Sequence, residues 1–492
     1  DIMANKPNSR RTFMKNAAAL IAAGGIISKG TVAAKLPSQQ LQQSGSVDLK
    51  KEIQRTNSDY IVYVPKSTDG STADNGNEHL LVFPGPDGSL MAVWTQSTVE
   101  GHGDHRIVFS KSRDNGRTWA EPKHLVGVKA GDGQAISVEP GKWKRPDLDK
   151  HPYAKEMASW GYPLISKSGR IYVIYNQYQG VGDVHDQFTG TMDAIYSDDD
   201  GKTWSDPQTI PMKRSIWDHP DSSVPSNWIV WQRPHRDLKG RWFAGFTRWI
   251  SREVRVSSKG IENFRSPAVI EFMRYENIDD NPEPKDIRIS WFASDEKAIK
   301  VPHPFYPPMS DAEEPSITRL PDKRLFCTMR TRTNYIWYTI SKDDGETWST
   351  PRPLLYHDHG TPILSPVFCT PIYQLPDGRY ILIHHPAFIE PKRRTKYDVS
   401  QKHGYNRRPA FITLGEYRPD AEQPIWFSES KFFMDNDNVP IGPRGLPHCC
   451  GYTSITTVNE ETVLWHPDRK FFLLGKIIDD KVLSGLKVPE SI

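Results

Sequence analysis

A tyrosine, two carboxylates and an arginine, far apart along the chain, have the residue types that nucleophilic catalysis requires. Glu314 precedes a β-rich run that ends at Arg330, and Tyr452 opens a later run. A phenol with a pKa of about 10 is a weak nucleophile at neutral pH, so it needs a nearby base and a nearby cation that favour its ionised form. We expect Glu314 to be that base and Arg330 that cation. Asp104, in a polar loop, is the candidate that protonates a leaving oxygen and later activates water.

The elements that must position these residues carry a short repeated pattern. Three copies of S-x-D-x-G-x-T-W begin at Ser112, Ser197 and Ser341, and each follows a β-rich run. The pattern is typical of a hairpin turn, because the aspartate binds backbone amides, the glycine takes a positive φ and the tryptophan packs beneath the next strand. We therefore assign the three copies a structural role and no catalytic one.

A second signal recurs six times, as two β-rich runs joined by a turn. The six units span residues 80–94, 163–175, 228–247, 316–329, 371–383 and 453–465. No long amphipathic helix interrupts them, and a ring of short antiparallel sheets would leave few open edges. The sequence predicts an all-β protein in which residues 56–485 form one six-bladed β-propeller of four-stranded antiparallel blades.

Together, the three turns and the six units resemble the sialidase superfamily, whose propellers carry such Asp-box repeats. The resemblance implies that Tyr452 is the nucleophile, that Glu314 activates it, and that Asp104 is the acid/base. It also implies that Arg330 is the second of three arginines that bind the substrate carboxylate. Arg407 or Arg408, before the apolar run 409–413, is similar to the third arginine.

The chain departs from the family where the first arginine is expected. That region reads Asn77-Glu78-His79, so an acidic residue stands near the arginine position. Two interpretations stay open: a different acidic sugar, held by two arginines and by histidines, or a neutral sugar. His105 and His385 are the histidines that we predict to bind substrate.

Three functions are compatible with these residues. The first is an exo-acting, retaining glycoside hydrolase that releases an acidic sugar from a glycan or polysaccharide. The second is a polysaccharide lyase, in which a tyrosine or histidine removes the proton beside a uronic acid carboxylate and Arg330 neutralises that carboxylate. The third is a non-catalytic propeller that binds carbohydrate.

The N-terminal residues have the features of an export signal. Arg10-Arg11 precede an apolar run at residues 17–27 and a small-residue site at 32–34, which predicts a twin-arginine signal peptide over residues 1–34. The apolar run is short for a membrane span. Residues 35–55, rich in Gln and Ser, are predicted to be a flexible lead-in, and the protein is predicted to be periplasmic or secreted.

Charge and cysteine content bear on partners and cofactors. The net charge of +3 comes from the predicted signal, so the nearly neutral remainder gives no reason to expect a nucleic acid or membrane partner. The four cysteines are expected to be buried small hydrophobes, although His448 with an adjacent cysteine could form a metal site. We predict no required cofactor, and a structural metal stays possible.

Overall fold

The structure, a computed structural model, describes residues 47–129, 136–145, 154–254, 267–303, 307–385 and 407–491. The predicted signal peptide and residues 35–46 of the predicted lead-in lie outside the described residues. Residues 49–54, which the sequence analysis placed in the flexible lead-in, form helix α1 (Leu49–Gln54). Its apolar face, with Leu49 and Ile53, packs against Phe471.

Six antiparallel sheets follow one another along the described chain, which confirms the predicted six-bladed propeller. Blade 1 contains β2 (Gly76–Pro84), β3 (Leu90–Ser97), β4 (Arg106–Ser112) and β5 (Lys123–Gly127). Blade 2 contains β6 (Ala158–Ile165), β7 (Ile171–Gln177), β8 (Thr191–Ser197) and β9 (Gln208–Ile210). Blade 3 contains β10 (Trp228–Ile229), β11 (His235–Arg236), β12 (Trp242–Trp249), β13 (Ala268–Tyr275) and β14 (Ile289–Phe292).

The second half of the ring is built in the same way. Blade 4 contains β15 (Glu313–Arg319), β16 (Leu325–Arg330), β17 (Trp337–Ser341) and β18 (Arg352–Pro353). Blade 5 contains β19 (Ile372–Gln374), β20 (Tyr380–His384), β21 (Ala410–Tyr417), β22 (Ile425–Phe427) and β23 (Lys431–Met434). Blade 6 contains β24 (Ser454–Val458), β25 (Glu461–Asp468) and β26 (Phe472–Ile477), and helix α2 (Asp480–Leu483) follows it.

The ring is closed by a strand from the other end of the chain. β1 (Tyr60–Tyr63) pairs antiparallel with β26 and becomes the fourth strand of blade 6, with Tyr60 opposite Gly475. Leu80 and Val82 of blade 1 pack with Trp465 and Leu473 of blade 6, so the first and last blades share a core. Closure removes open sheet edges and fixes the positions of loops that are distant in sequence.

The repeated eight-residue pattern forms the turn between the third and fourth strands of blades 1, 2 and 4. In the first copy, the Gly116 amide donates to Ser112 Oγ at 2.8 Å, and the Thr118 amide donates to Asp114 Oδ1 at 2.8 Å. Gly116 has a φ of +89°, and a Cβ there would lie 2.4 Å from the ring of Trp465. The pattern is therefore a structural turn, as predicted.

Candidate active site

Tyr452, Glu314 and Arg330 meet in three dimensions although blades 4 and 6 supply them from distant parts of the chain. The Tyr452 hydroxyl donates to Glu314 Oε1 at 2.9 Å, and Arg330 Nη1 donates to the Tyr452 oxygen at 3.0 Å. Arg330 Nη1 also pairs with Glu314 Oε1. The phenol oxygen thus has a carboxylate and a guanidinium within hydrogen-bond distance.

An unusual backbone conformation aims Glu314 and Tyr452 at each other. Glu314 has a φ of 50° and Tyr452 a φ of 56°, in the left-handed region that bulky residues rarely adopt. Glu314 lies in a bulge of β15, between Glu313 and Ser316, and Tyr452 lies two residues before β24 begins. Bulges re-aim side chains next to functional sites, and this strain is typical of such sites.

The preceding blade holds each strained residue in place. The Glu314 amide donates to Thr247 Oγ1 of blade 3 at 2.7 Å, and the Tyr452 amide donates to Cys369 Sγ, before blade 5, at 3.0 Å. Trp160 has the same conformation at the start of blade 2, with a φ of 58°, and its amide donates to Thr95 Oγ1 of blade 1 at 2.8 Å. Contacts between neighbouring blades therefore stabilise the strained positions.

Arg330 is fixed by a second layer of buried charges. Its Nε lies 3.1 Å from Glu313 Oε2, and the other oxygen of Glu313 accepts from Arg332 Nη1 at 2.8 Å. Arg332 also pairs with Asp311. Burial raises the pKa of Asp311 to about 6, although the charge of Arg332 opposes this shift. Two arginines and three carboxylates thus form one network that sets the direction of the Arg330 guanidinium.

Burial keeps the phenol of Tyr452 in its neutral form. Burial raises the pKa of Tyr452 well above its ordinary value, and the charge of Glu314 raises it further, whereas Arg330 and Arg407 lower it. The neighbours were predicted to favour the phenolate. The two arginines do so, but burial outweighs them. The arrangement is a protonated tyrosine already hydrogen-bonded to a base.

Aromatic rings enclose the phenol ring. Trp160, Trp231 and Phe368 have ring centroids 5.6, 5.9 and 5.5 Å from that of Tyr452, all in edge-to-face geometry. Neither indole N–H of the two tryptophans has a hydrogen-bond partner among the described residues, although both are buried. These tryptophans were not predicted as site residues, and they form part of the packed wall around the phenol.

Residues 88–409 match the model of the BNR repeat-like domain, about two thirds of the chain. The chain belongs to the BNR repeat-like domain family. Among solved structures, it is similar to a protein of unknown function from Dyadobacter fermentans, at 12% identity over 86% of this chain and 98% of that one, with a TM-score of 0.53. A search of curated proteins gives no match.

Two further structures of the same fold carry sialidase names. The intramolecular trans-sialidase from Ruminococcus gnavus is 16% identical over 85% of this chain and 97% of that one, with a TM-score of 0.52. The NanB sialidase from Streptococcus pneumoniae is 13% identical over 86% and 71%, also with a TM-score of 0.52. At these identities the likeness concerns the fold, and it confirms the resemblance to the sialidase superfamily at that level.

In this BNR repeat-like propeller, Asp104 is hydrogen-bonded within its own loop. Asp104 is completely buried, and its Oδ2 accepts from the Thr98 amide at 2.9 Å and from Thr98 Oγ1 at 2.6 Å. Within the described part of the chain, no contact joins Asp104 to Tyr452 or Glu314. The carboxylate holds the loop that connects β3 and β4, and its acid/base role stays a prediction.

The two predicted histidines also lie in the packed interior. His105 accepts from the Gly101 amide through Nε2 at 3.0 Å, and burial lowers its pKa to about 3. His385 donates through Nε2 to the Cys449 carbonyl at 2.6 Å, and burial lowers its pKa to about 3 as well. Both rings are therefore neutral at physiological pH and support backbone, and their predicted substrate binding stays untested.

The two consecutive arginines have different positions. Arg407 is buried, lies 4.5 Å over the ring of Phe368, and is among the charges that act on the pKa of Tyr452. Arg408 donates through Nε to Asp435 Oδ1 at 2.8 Å in a half-buried ion pair. Of the two candidates for a third arginine, the structure brings Arg407 to the site and places Arg408 in a separate ion pair.

Three charged residues beside the phenol were missed by the sequence analysis. Lys470 Nζ lies 5.1 Å from the centre of the Tyr452 ring and donates to Glu100 Oε1 at 2.6 Å. The second oxygen of Glu100 pairs with Arg444. Glu100 and Arg444 are in loops, and Lys470 is in the turn between β25 and β26, where no local pattern shows side-chain direction.

The four cysteines are all buried free thiols, in agreement with the predicted hydrophobic role. Over the residues that the structure describes, no group of three His, Cys, Asp or Glu side chains could hold a metal ion. Over the same residues, no helix is long and apolar enough to cross a membrane.

Proposed function

We propose that this protein is an exo-acting, retaining glycoside hydrolase that releases an acidic sugar through the Tyr452/Glu314 pair. The observation that carries the proposal is the hydrogen bond of 2.9 Å between the Tyr452 hydroxyl and Glu314, with Arg330 at 3.0 Å from the same phenol oxygen. A tyrosine paired with a carboxylate base is the nucleophile arrangement that some glycosidases use instead of a carboxylate.

The proposed first step transfers the Tyr452 proton to Glu314 as the phenol oxygen bonds to the anomeric carbon and the glycosidic bond breaks. Arg330 stabilises the negative charge that develops on the phenol oxygen during this transfer. In the resulting glycosyl-tyrosine the bonded phenol oxygen carries no charge. Water then hydrolyses this intermediate: the acid/base takes a proton from the water, and Glu314 returns its proton to the departing phenol oxygen. A neutral nucleophile in the resting site suits an anionic substrate, which a carboxylate nucleophile would repel.

The acid/base that protonates the leaving oxygen is assigned to the loop between β3 and β4. Asp104 is the predicted residue, and Glu100 is a second carboxylate of that loop, close to the phenol through Lys470. Asp104→Asn and Glu100→Gln separate the two. The variant that loses activity on a glycoside with a poor leaving group, but keeps it on an activated aryl glycoside, identifies the acid.

The test of the proposal is turnover on a panel of charged oligosaccharides by the wild type and by Tyr452→Phe. We expect turnover by the wild type and its loss in the variant. Tyr60→Phe is a matched control, because Tyr60 donates to Glu461 at 2.5 Å in another tyrosine–glutamate pair, in blade 6. If Tyr452→Phe and Glu314→Gln both leave carbohydrate binding and all other behaviour unchanged, the non-catalytic binding propeller is the better description.

A polysaccharide lyase is the second candidate, and the burial of Asp104 favours it. β-Elimination beside a uronic acid carboxylate requires a base, a cation that neutralises the carboxylate, and a proton for the leaving oxygen. Glu314 would take the Tyr452 proton, the phenolate would remove the proton beside the carboxylate and pass it to the leaving oxygen, and Arg330 would neutralise the carboxylate. This route does not require an acid of the Asp104 type. The products distinguish the two: a lyase forms an unsaturated sugar that absorbs ultraviolet light, and a hydrolase forms a new reducing end without it.

The proposal places the enzyme outside the cytoplasm. This part rests on the twin-arginine pattern in residues 9–34 of the sequence. Cell fractionation of the native host, with Arg10→Lys/Arg11→Lys as the export-deficient variant, tests it.

A further inference from the structure

The N-terminal helix α1 docks on the turn between β25 and β26, which residues 469–471 form. Leu49 and Ile53 of the helix share one buried apolar cluster with Phe471 of the turn. A helix of six residues is too short to be stable alone in water, so its conformation depends on this contact. Helix and turn are therefore one packed unit, although they come from distant parts of the chain.

A buried guanidinium joins the helix to this turn. Arg469 Nη1 donates to Glu52 Oε2 at 2.8 Å, and Nη2 donates to the Glu52 carbonyl at 2.9 Å. Nε donates to Asp468 Oδ2 at 2.9 Å, and Nη2 lies 2.9 Å from the same oxygen. Nη1 also donates to the Val439 carbonyl at 3.1 Å. A guanidinium has five N–H donors, so Arg469 binds protein groups with its whole fork.

The ion pair between helix and turn is charged as well as buried. Both Glu52 and Arg469 are buried. Burial acts to raise the pKa of Glu52, but the hydrogen bonds from Arg55 and Arg469 outweigh it, and the pKa is lowered. Glu52 is therefore ionised at neutral pH. A charge-assisted contact of this kind is stronger than a neutral one, and it fixes the helix relative to the turn.

The turn is strained and depends on its support. Arg469 has a φ of 60° and Lys470 a φ of 51°, so two consecutive bulky residues have the left-handed conformation. Such a conformation persists only where the surrounding contacts hold it. The contacts of Arg469 to Glu52 supply part of that support.

The backbone of the turn is bonded to the segment that leads to Tyr452. The Arg469 amide donates to the His448 carbonyl at 2.5 Å, and Asp468 pairs with Cys449 in an isolated antiparallel bridge. Cys449 lies three residues before Tyr452, which itself has a positive φ. The turn thus holds one end of the short segment that carries the strained tyrosine.

The turn also reaches the ring of Tyr452. Lys470 Nζ lies 5.1 Å from the centre of that ring, and the Lys470 side chain is only 10% exposed. The Lys470 carbonyl accepts from the Asn77 amide at 2.8 Å, which fixes this residue against the start of β2. A shift of the turn would therefore act on the tyrosine through its backbone and through its ring.

We propose that helix α1 helps to position Tyr452, and that Arg469 is the positioning residue through which the helix acts. The inference rests on the proposed function for the role of Tyr452 as the nucleophile. Docking of Glu52 on Arg469 holds the turn, and the turn holds the segment 448–452 where the phenol meets its base. The helix precedes the closing strand β1, so one N-terminal segment both closes the ring of blades and completes the site.

The test compares two variants of the full chain that each remove a charge from the helix end. Glu52→Ala removes the acceptor of Arg469 Nη1 and leaves the pair of Arg469 with Asp468 in place. Arg55→Met is the matched control, because Arg55 donates to the same carboxylate at 2.7 and 2.9 Å but has the exposed Asp437 as its other partner. Both variants are first compared with the wild type in denaturation midpoints, and activity is measured where all three are folded.

The first readout is turnover on the panel of charged oligosaccharides. Glu52→Ala should reduce kcat about 10- to 100-fold with little change in KM, because a small misplacement of a reacting group costs up to about 100-fold in rate. Arg55→Met should keep the kcat of the wild type. Glu52→Gln keeps an oxygen acceptor in place of the carboxylate, so it should lose less kcat than alanine, and it replaces Glu52→Ala if the alanine variant does not fold.

The second readout is hydrogen–deuterium exchange, which does not depend on turnover. Glu52→Ala should exchange about tenfold faster than the wild type in peptides that cover residues 448–453 and 468–472, and at the wild-type rate in β12. Arg55→Met should match the wild type in all of these peptides. A helix that contributes only to global stability would instead raise exchange throughout the propeller.

Defined outcomes overturn the inference. An unchanged kcat in folded Glu52→Ala, an equal loss of kcat in Arg55→Met, or exchange that rises equally in all blades would each refute it. Absence of wild-type turnover on every glycoside, together with faster exchange at residues 448–453 in Glu52→Ala, would refute the proposed hydrolase and leave the connection from helix to tyrosine standing. The two failures are therefore distinguishable.

Discussion

Replacement of Glu314 by glutamine should remove the base and leave the geometry of the site in place. Glutamine has the same shape, and its amide oxygen can still accept the Tyr452 hydroxyl that now donates to Glu314 Oε1 at 2.9 Å. The amide cannot accept the proton, so the phenol loses its base. A positioned base contributes about 100- to 10,000-fold to the rate, which equals about 2.7–5.5 kcal/mol of transition-state stabilisation. We expect kcat to fall by that factor with little change in KM.

The same substitution should lower the pKa of Tyr452. The charge of Glu314 is the second-largest cause of the raised pKa, after burial, and Arg330 and Arg407 both act in the opposite direction. Without the carboxylate charge, the two arginines remain and the phenol ionises more easily. The phenolate absorbance of Glu314→Gln at alkaline pH, minus that of Glu314→Gln/Tyr452→Phe, isolates this one tyrosine from the other 18 of the 19 in the chain.

Stability should change little in Glu314→Gln. Arg330 keeps its ion pair with Glu313, 3.1 Å from Nε, so it is not left as an isolated buried charge. We expect the free energy of unfolding to fall by less than about 2 kcal/mol. Glu461→Gln, in the Tyr60–Glu461 pair, is the control that should leave kcat unchanged. A kcat of Glu314→Gln equal to that of the wild type, in a folded protein, would refute the assignment of Glu314 as the base.

Three further predictions concern other parts of the molecule. Gly116→Ala should destabilise the fold by about 2–4 kcal/mol in chemical denaturation, because overpacking adds to the strain of a positive φ. The alanine Cβ would lie 2.4 Å from Trp465. Gly88→Ala is the control and should cost less, because the space around Gly88 is open. The opposite order would contradict this account. Stability should fall as pH decreases from about 6.5 towards 3. Burial lowers the pKa of His105 to about 3, so over this range the unfolded chain binds a proton at His105 that the folded chain does not. His105→Gln should flatten that slope in denaturation midpoints, and an identical slope would exclude His105 as its source. Arg407→Met should reduce kcat/KM on an anionic substrate about 10- to 100-fold, since Arg407 is buried beside the phenol, whereas Arg408→Met should leave it unchanged. Equal losses in both variants would show that the structure does not distinguish the two arginines.

The fold was predictable because its signals are local and repeated. The turn at Ser112, Asp114 and Gly116 requires particular residue types, and the same types recur at the other two copies. Each predicted two-run unit corresponds to the first hairpin of one blade, from β2–β3 to β24–β25. The closing strand β1 was not predicted as a partner of β26, since this pairing joins residues about 415 positions apart and has no local signal.

The site was only partly predictable because loops determine side-chain direction. The association of Tyr452, Glu314 and Arg330 follows from strand starts and strand ends, which a regular blade geometry places at one rim. Asp104 and Glu100 lie four residues apart in one loop, and the structure turns Asp104 inward to Thr98 and Glu100 towards Lys470. Sequence types alone do not distinguish these two directions.

The strained residues connect the fold to the proposed chemistry. A positive φ at a non-glycine residue costs on the order of 1–3 kcal/mol, and the structure has it at Trp160, Glu314 and Tyr452, at the starts of blades 2, 4 and 6. Such a cost persists only where neighbouring contacts hold the conformation. Here the side chains of Thr95 in blade 1, Thr247 in blade 3 and Cys369, just before blade 5, accept the three amides.

Loss of one of these contacts should therefore reduce activity without removal of any group that touches a substrate. Thr247→Val deletes the acceptor of the Glu314 amide, a hydrogen bond of 2.7 Å, and leaves a buried N–H unpaired. We expect a stability loss of about 1–3 kcal/mol and a reduced kcat, because Glu314 can then relax to an ordinary strand conformation that points away from Tyr452. Thr247→Ser keeps the hydroxyl and should restore kcat. If serine fails to restore kcat in a folded protein, the strained backbone is not what positions the base.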